Sequence, residues 1–123
     1  MNRSLIYLTA IIATIFILVS STAQAVDVLV NTTPYCPANT STDRYIINAD
    51  VTFNCTAPVN INVAAGSAIF VNNSYTLDMN GTVLIGNNLG IGIQLGNNTI
   101  LKNGIIRDYD TGVFLNNSIN NTV

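Results

Sequence analysis

Three charged residues stand close together near the C-terminal end, Arg107, Asp108 and Asp110, in the stretch RDYD. Two carboxylates held a few ångströms apart can serve as acid and base at a glycosidic bond. Carboxylate oxygens can also hold Ca²⁺ while an arginine removes a proton from a sugar acid. Both chemistries need several groups converging on one point, and here all three lie within four consecutive residues. Asp78 is the one further carboxylate that could join them. The simpler reading is a polar turn that leads into Gly112 with Tyr109 turned inward. Arg107, Asp108 and Asp110 are therefore kept as a polar site, with no catalytic residue and no metal ligand assigned.

Cys36 and Cys55 are the only cysteines. With no histidine in the chain, a zinc site has too few ligands. An even count in an exported chain points to a disulfide between the two. Asparagine offers two other kinds of chemistry. Asn31, Asn39, Asn54, Asn72, Asn80, Asn97, Asn116 and Asn120 each begin an N-x-S/T sequon, the acceptor pattern for N-linked glycans. Asn31 and Asn39, in an irregular segment, are the better glycan candidates. Asn80 and Asn103, each followed by glycine, are candidates for an inward amide ladder like those in stacked parallel strands. The glycine-rich IGNNLGIGIQLGNN is followed by neither GK[ST] nor a helical pattern, so a phosphate-binding loop is excluded.

The elements that position these residues follow from composition. Residues 1–25 read as a signal peptide. Arg3 is followed by the apolar run LIYLTAIIATIFILV and by Ala23-Gln24-Ala25, so cleavage is expected after Ala25, leaving Val26 as the first mature residue. The run is shorter than the roughly 20 residues that span a bilayer. No membrane association is expected once it is removed. The remaining 98 residues carry Arg44, Lys102 and Arg107 against six Asp, and no Glu or Trp. So few cations exclude a nucleic-acid binder. The scarcity of Glu and Lys disfavours helices. Val, Ile and Thr favour strands, and Asn and Gly favour turns.

Self-similarity organises the second half. Asn80-Gly81 returns as Asn103-Gly104, 23 residues on, and Gly92-Ile-Gln-Leu95 returns as Gly112-Val-Phe-Leu115, 20 residues on. Asn97-Asn98-Thr99 likewise returns as Asn120-Asn121-Thr122. Within a unit the apolar residues alternate with period two: Ile91, Ile93 and Leu95, or Tyr75, Leu77 and Met79. Strands this short cannot bury a core alone. Stacked as coils about 4.8 Å apart, they can. In the first half, Tyr45–Asn48, Val51–Asn54 and Val59–Val63 are strand candidates.

YTLDMNGTVLIG, followed by NNTILKNGIIRDYDTGVFLNNSINNTV, resembles the secreted right-handed parallel β-helix proteins, in particular those with NosD-like and carbohydrate-binding or sugar-hydrolase repeats. The resemblance covers about Ala68 to Val123. Met79 stands where that group often has cysteine. It implies an all-β, right-handed parallel β-helix of about three coils. The expected division is a signal peptide helix at 1–25, an N-terminal cap and first irregular coil at 26–67, and coils at 68–123, cut within a coil so that further coils follow. The role expected is a secreted or cell-surface scaffold for extracellular polysaccharide or cell-wall components, without cofactor and without catalysis in this chain. The alternatives are the N-terminal part of a polysaccharide lyase or glycoside hydrolase with its site downstream, and a NosD-like periplasmic accessory protein.

Overall fold

The computed structural model describes residues 25–123. The signal segment, with Ala23, lies outside the described residues, and so does the helix expected there. What is described is all-β with parallel pairing throughout. The strands are β1 (Asp27–Val30), β2 (Arg44–Ile47), β3 (Val51–Thr52), β4 (Val59–Asn60), β5 (Ser67–Val71), β6 (Thr76–Asp78), β7 (Val83–Ile85), β8 (Ile91–Leu95), β9 (Ile100–Lys102), β10 (Ile105–Arg107) and β11 (Thr111–Leu115). They form three sheets, in the orders β1-β2-β5-β8-β11, β3-β6-β9 and β4-β7-β10. From β2 on, each strand therefore pairs with the one three places on, while β1 pairs with β2, and the chain visits the three sheets in the same cyclic order. We call one such round a circuit.

Three circuits contribute a strand to every sheet: β2-β3-β4, β5-β6-β7 and β8-β9-β10. The preceding segment also goes round. After β1, Tyr35 bridges to Phe53 and Ser41 bridges to Ile61. The stretch between β1 and β2 is thus a tight circuit of its own, with two single-residue bridges where later circuits have strands; residues 26–67, expected as cap and first irregular coil, also hold β2, β3 and β4. The expected boundary at 67/68 falls inside β5, which begins at Ser67.

The period-two alternation builds the interior. Tyr45, Ile69, Ile93 and Val113 stack in register, as do Val30, Ile47, Val71, Leu95 and Leu115. Val51, Leu77 and Leu101 form a column in the second sheet, and Val59, Leu84 and Ile106 one in the third. Nearly all of these are buried, with Val113 and Ile106 partly covered and Leu115 exposed on the last strand. Parallel strands cannot be joined by tight hairpins, so every neighbour in a sheet is one whole circuit away in sequence. Tyr45 faces Ile69 and Ile69 faces Ile93, a step of 24 residues each time.

Candidate functional site

The predicted polar residues come first. Arg107 ends β10, and its Nη1 lies 3.5 Å from Asp108 Oδ2, with both side chains about half exposed. Asp108 adopts a φ of 60°, which turns the chain out of β10. Tyr109 points inward, and its hydroxyl donates to Ile61 O at 2.8 Å and to Ile85 O at 3.3 Å. Burial pushes this phenol far above its ordinary range. The residue stacked beneath Arg107 is Ile85, and Asn60 lies beneath that. No carboxylate or cation is supplied by the circuits below at this position. The three charges thus form one corner of one circuit, with Arg107 engaged by its own neighbour. Among the described residues no group of three His, Cys, Asp or Glu could hold a metal ion.

Asp78 lies on a different sheet from that corner. Its Oδ1 accepts from Asn103 Nδ2 at 3.0 Å and from the Asn80 backbone N–H at 2.9 Å, and its Oδ2 lies 3.6 Å from Lys102 Nζ. Asp78 and Lys102 are directly opposite in β6 and β9. The Asn103 amide above all, then the Asn80 N–H and the Lys102 charge, holds this carboxyl below its ordinary pKa.

Those bonds correct the expected ladder. Asn80 and Asn103 do not bond each other. Asn103 Nδ2 goes to Asp78, Asn80 Nδ2 goes to Phe53 O at 3.1 Å, and Asn80 is exposed rather than inward. The cause is the length of the corner. Between β6 and β7 the chain spends four residues (79–82), and between β9 and β10 only two (103–104). The 23-residue match between the two Asn-Gly pairs therefore falls between the true offsets, 24 at Leu77–Leu101 and 22 at Leu84–Ile106. Both asparagines take a left-handed backbone, with φ of 49° and 60°. Turn geometry is what they share.

Bonded amide pairs occur at other corners. Asn72 Nδ2 donates to Asn48 Oδ1 at 3.0 Å, Asn60 Nδ2 to Asn39 Oδ1 at 3.1 Å, and Asn120 Nδ2 to Asn98 Oδ1 at 3.1 Å. The last pair shows that the repeated Asn-Asn-Thr stacks one residue out of step. Its sequence offset is 23, whereas Ile100 bridges to Thr122. Of the glycan candidates, Asn31 and Asn39 are both exposed, and Asn39 accepts the Asn60 amide at its Oδ1.

Cys36 and Cys55 are joined, with Cα atoms 5.3 Å apart. The bond ties the tight first circuit to the second and fits an oxidising, extracellular-type compartment. Among the described residues no helix is long and apolar enough to cross a membrane.

Sequence reasoning missed the outer face of the longest sheet. Leu29, Ile46, Phe70, Gln94 and Phe114 stand in register across all five strands. They alternate with the buried column and face out, with Leu29 59 % and Phe114 38 % exposed and the other three half-buried. Two circuits separate the two phenylalanines, about 9–10 Å at the usual strand spacing. The Arg44 guanidinium carbon sits 5.4 Å from the centre of the Phe70 ring. Asn48 and Asn72, two residues beyond Ile46 and Phe70, continue the same side of the pleat. Their side chains bond each other, Asn72 Nδ2 to Asn48 Oδ1, and both residues are half-buried. The signal was present in the sequence. The alignment of Gly92-Ile-Gln-Leu95 with Gly112-Val-Phe-Leu115 already pairs Gln94 with Phe114 on the side opposite the core.

No protein-family model, no curated protein and no solved structure matches this chain.

Proposed function

We propose that the chain is a right-handed parallel β-helix scaffold of the secreted or cell-surface kind, whose longest sheet binds neutral extracellular polysaccharide. The β-helix reading rests on the cyclic visits to three parallel sheets, and the hand on the strong bias of parallel crossovers. The observation that carries the binding role is the outward column Leu29–Ile46–Phe70–Gln94–Phe114. A pyranose ring offers C–H groups on its face and hydroxyls on its rim. Aromatic rings suit the face. The Gln94 amide and the Asn48–Asn72 pair suit the rim. Arg44 lies over Phe70, and none of the five residues of the outward column is charged, so the column itself offers no cation row for an acidic polymer.

The test is co-sedimentation of the exported protein with insoluble neutral polysaccharides. Phe114→Ser and Gln94→Ala are each expected to weaken binding about tenfold, in the range of a substantial interface residue. Binding unchanged in both variants would remove the sheet from the reading. Release of reducing or unsaturated ends, abolished by Asp108→Asn, would favour the enzyme alternative instead.

A further inference from the structure

The backbone nitrogen of Val26 lies 3.0 Å from Asp43 Oδ1. This is the nitrogen that cleavage after Ala25 would free. We propose that export leaves an α-ammonium at Val26 that Asp43 clasps, so that maturation fastens β1 onto the next circuit; the inference rests on the signal-peptide reading above.

The step is a hydrolysis by a leader peptidase. Water adds across the Ala25–Val26 amide, the C–N bond breaks, Ala25 leaves as a carboxylate and the Val26 amine takes up a proton. Before the cut, Val26 donates one neutral N–H to Asp43. After it, the same nitrogen carries a charge and three donors at the same place, and a bond to an ionised donor is roughly twice as strong as a neutral one.

The receptor is already built. The Asp43 backbone N–H donates to Ser41 Oγ at 3.0 Å, and Ser41 is fixed by its bridge to Ile61. Arg44 N–H donates to Val26 O at 3.0 Å, which sets the nitrogen on the Asp43 side. Val26 itself is 62 % exposed, so a peptidase can reach the bond. Ala25 lines a cleft with Asp27, Thr42, Arg44 and residues 63–67. The ionisable groups around the new terminus are Asp43, Asp27 and Arg44. The 63–67 segment, VAAGS, brings none. Two carboxylates against one guanidinium favour the charged amine. Its pKa should rise above the ordinary α-amino range of about 7.7–8.0 by a few tenths of a unit, up to about 0.7, the size of an exposed ion pair. A raised pKa stabilises the fold below the ordinary value and loses that effect as pH rises through the raised one.

The experiment expresses the full chain with its leader in a secreting host and collects the exported protein. Mass analysis identifies the first residue, and the pH dependence of acylation, mapped by peptide, gives the Val26 amine pKa apart from Lys102. A product beginning at Val26 with a raised pKa, restored to the ordinary range in Asp43→Asn, supports the clasp. A product beginning at Val26 whose amine titrates in the ordinary range in the unaltered protein overturns the clasp and leaves processing standing. A product that begins elsewhere removes both. The measurement on the unaltered protein decides even if Asp43→Asn fails to be exported.

Discussion

Gly92 and Gly112 occupy the same register position in β8 and β11, and the repeat treats them as equivalents. Their surroundings differ. A Cβ on Gly92 would stand 2.6 Å from Ile106 Cγ2, 2.8 Å from the Gly112 carbonyl oxygen and 3.0 Å from Tyr109 Cδ2. Carbon pairs attract best at about 3.5–4.0 Å, so the first contact is about 1 Å too close. Ile106 is held in its column, and the Gly112 carbonyl belongs to a strand paired with β8 itself. Relief therefore requires moving β11 away from β8. Overpacking of this kind costs about 1–3 kcal/mol. For a domain of this size that lowers Tm on the order of 10 °C. A Cβ on Gly112 meets nothing within 4 Å. Neither glycine has a left-handed φ, so alanine at Gly112 should leave Tm unchanged or raise it slightly by restricting the unfolded chain. Far-UV circular dichroism melts of the oxidised protein, at several concentrations, measure both. Equal losses at the two positions, or no loss in Gly92→Ala, would refute the packing argument.

Replacing Cys36 and Cys55 together by alanine should cost about 3 kcal/mol, the loop-closure contribution for a separation of 19 residues, read from urea unfolding. Tyr109→Phe removes the hydroxyl from the Ile61 carbonyl, and from the Ile85 carbonyl that also accepts the Ile61 N–H, and should cost about 1–3 kcal/mol; in the unaltered protein, alkaline absorbance titration should find Tyr109 resisting ionisation while the fold persists. Asp78 has a lowered pKa in the fold, so its stabilising effect is present above the ordinary carboxylate pKa, near 3.9, and is lost as pH falls through the lower folded value. The Tm difference between the unaltered protein and Asp78→Asn should accordingly be constant near neutrality and close below about pH 4.

The strands were legible because alternation is local. Tyr45, Ile47, Leu77, Ile93 and Leu95 alternate in a chain with too little charge to make helices, and each is buried where that pattern puts it. The 20-residue match between β8 and β11 was also in true register, because both strands keep the same five-residue form. Asn80 and Asn103 misled because a sequence match aligns letters, whereas stacking aligns hydrogen bonds. Two residues fewer at one corner shift everything between β9 and β10, and nothing in Asn-Gly announces the change. The outward column went unread for another reason. Phe70 and Phe114 sit between apolar neighbours, and a search for buried residues counts such rings as core.

The disulfide gives the molecule a mechanical grain. Hydrogen bonds between circuits run along the stacking axis, so a pull on the two ends along that axis loads one interface at a time and peels the chain. Each freed circuit of 20 to 24 residues should lengthen the tether by about 65–85 Å, at roughly 3.3–3.6 Å per extended residue. Peeling from the last circuit would proceed in such steps until it reached the ring closed between Cys36 and Cys55. There about 65 Å of chain stays locked until the bond is reduced. Tension then becomes a reporter of redox state: the same pull ends short in an oxidising medium and runs to full length in a reducing one.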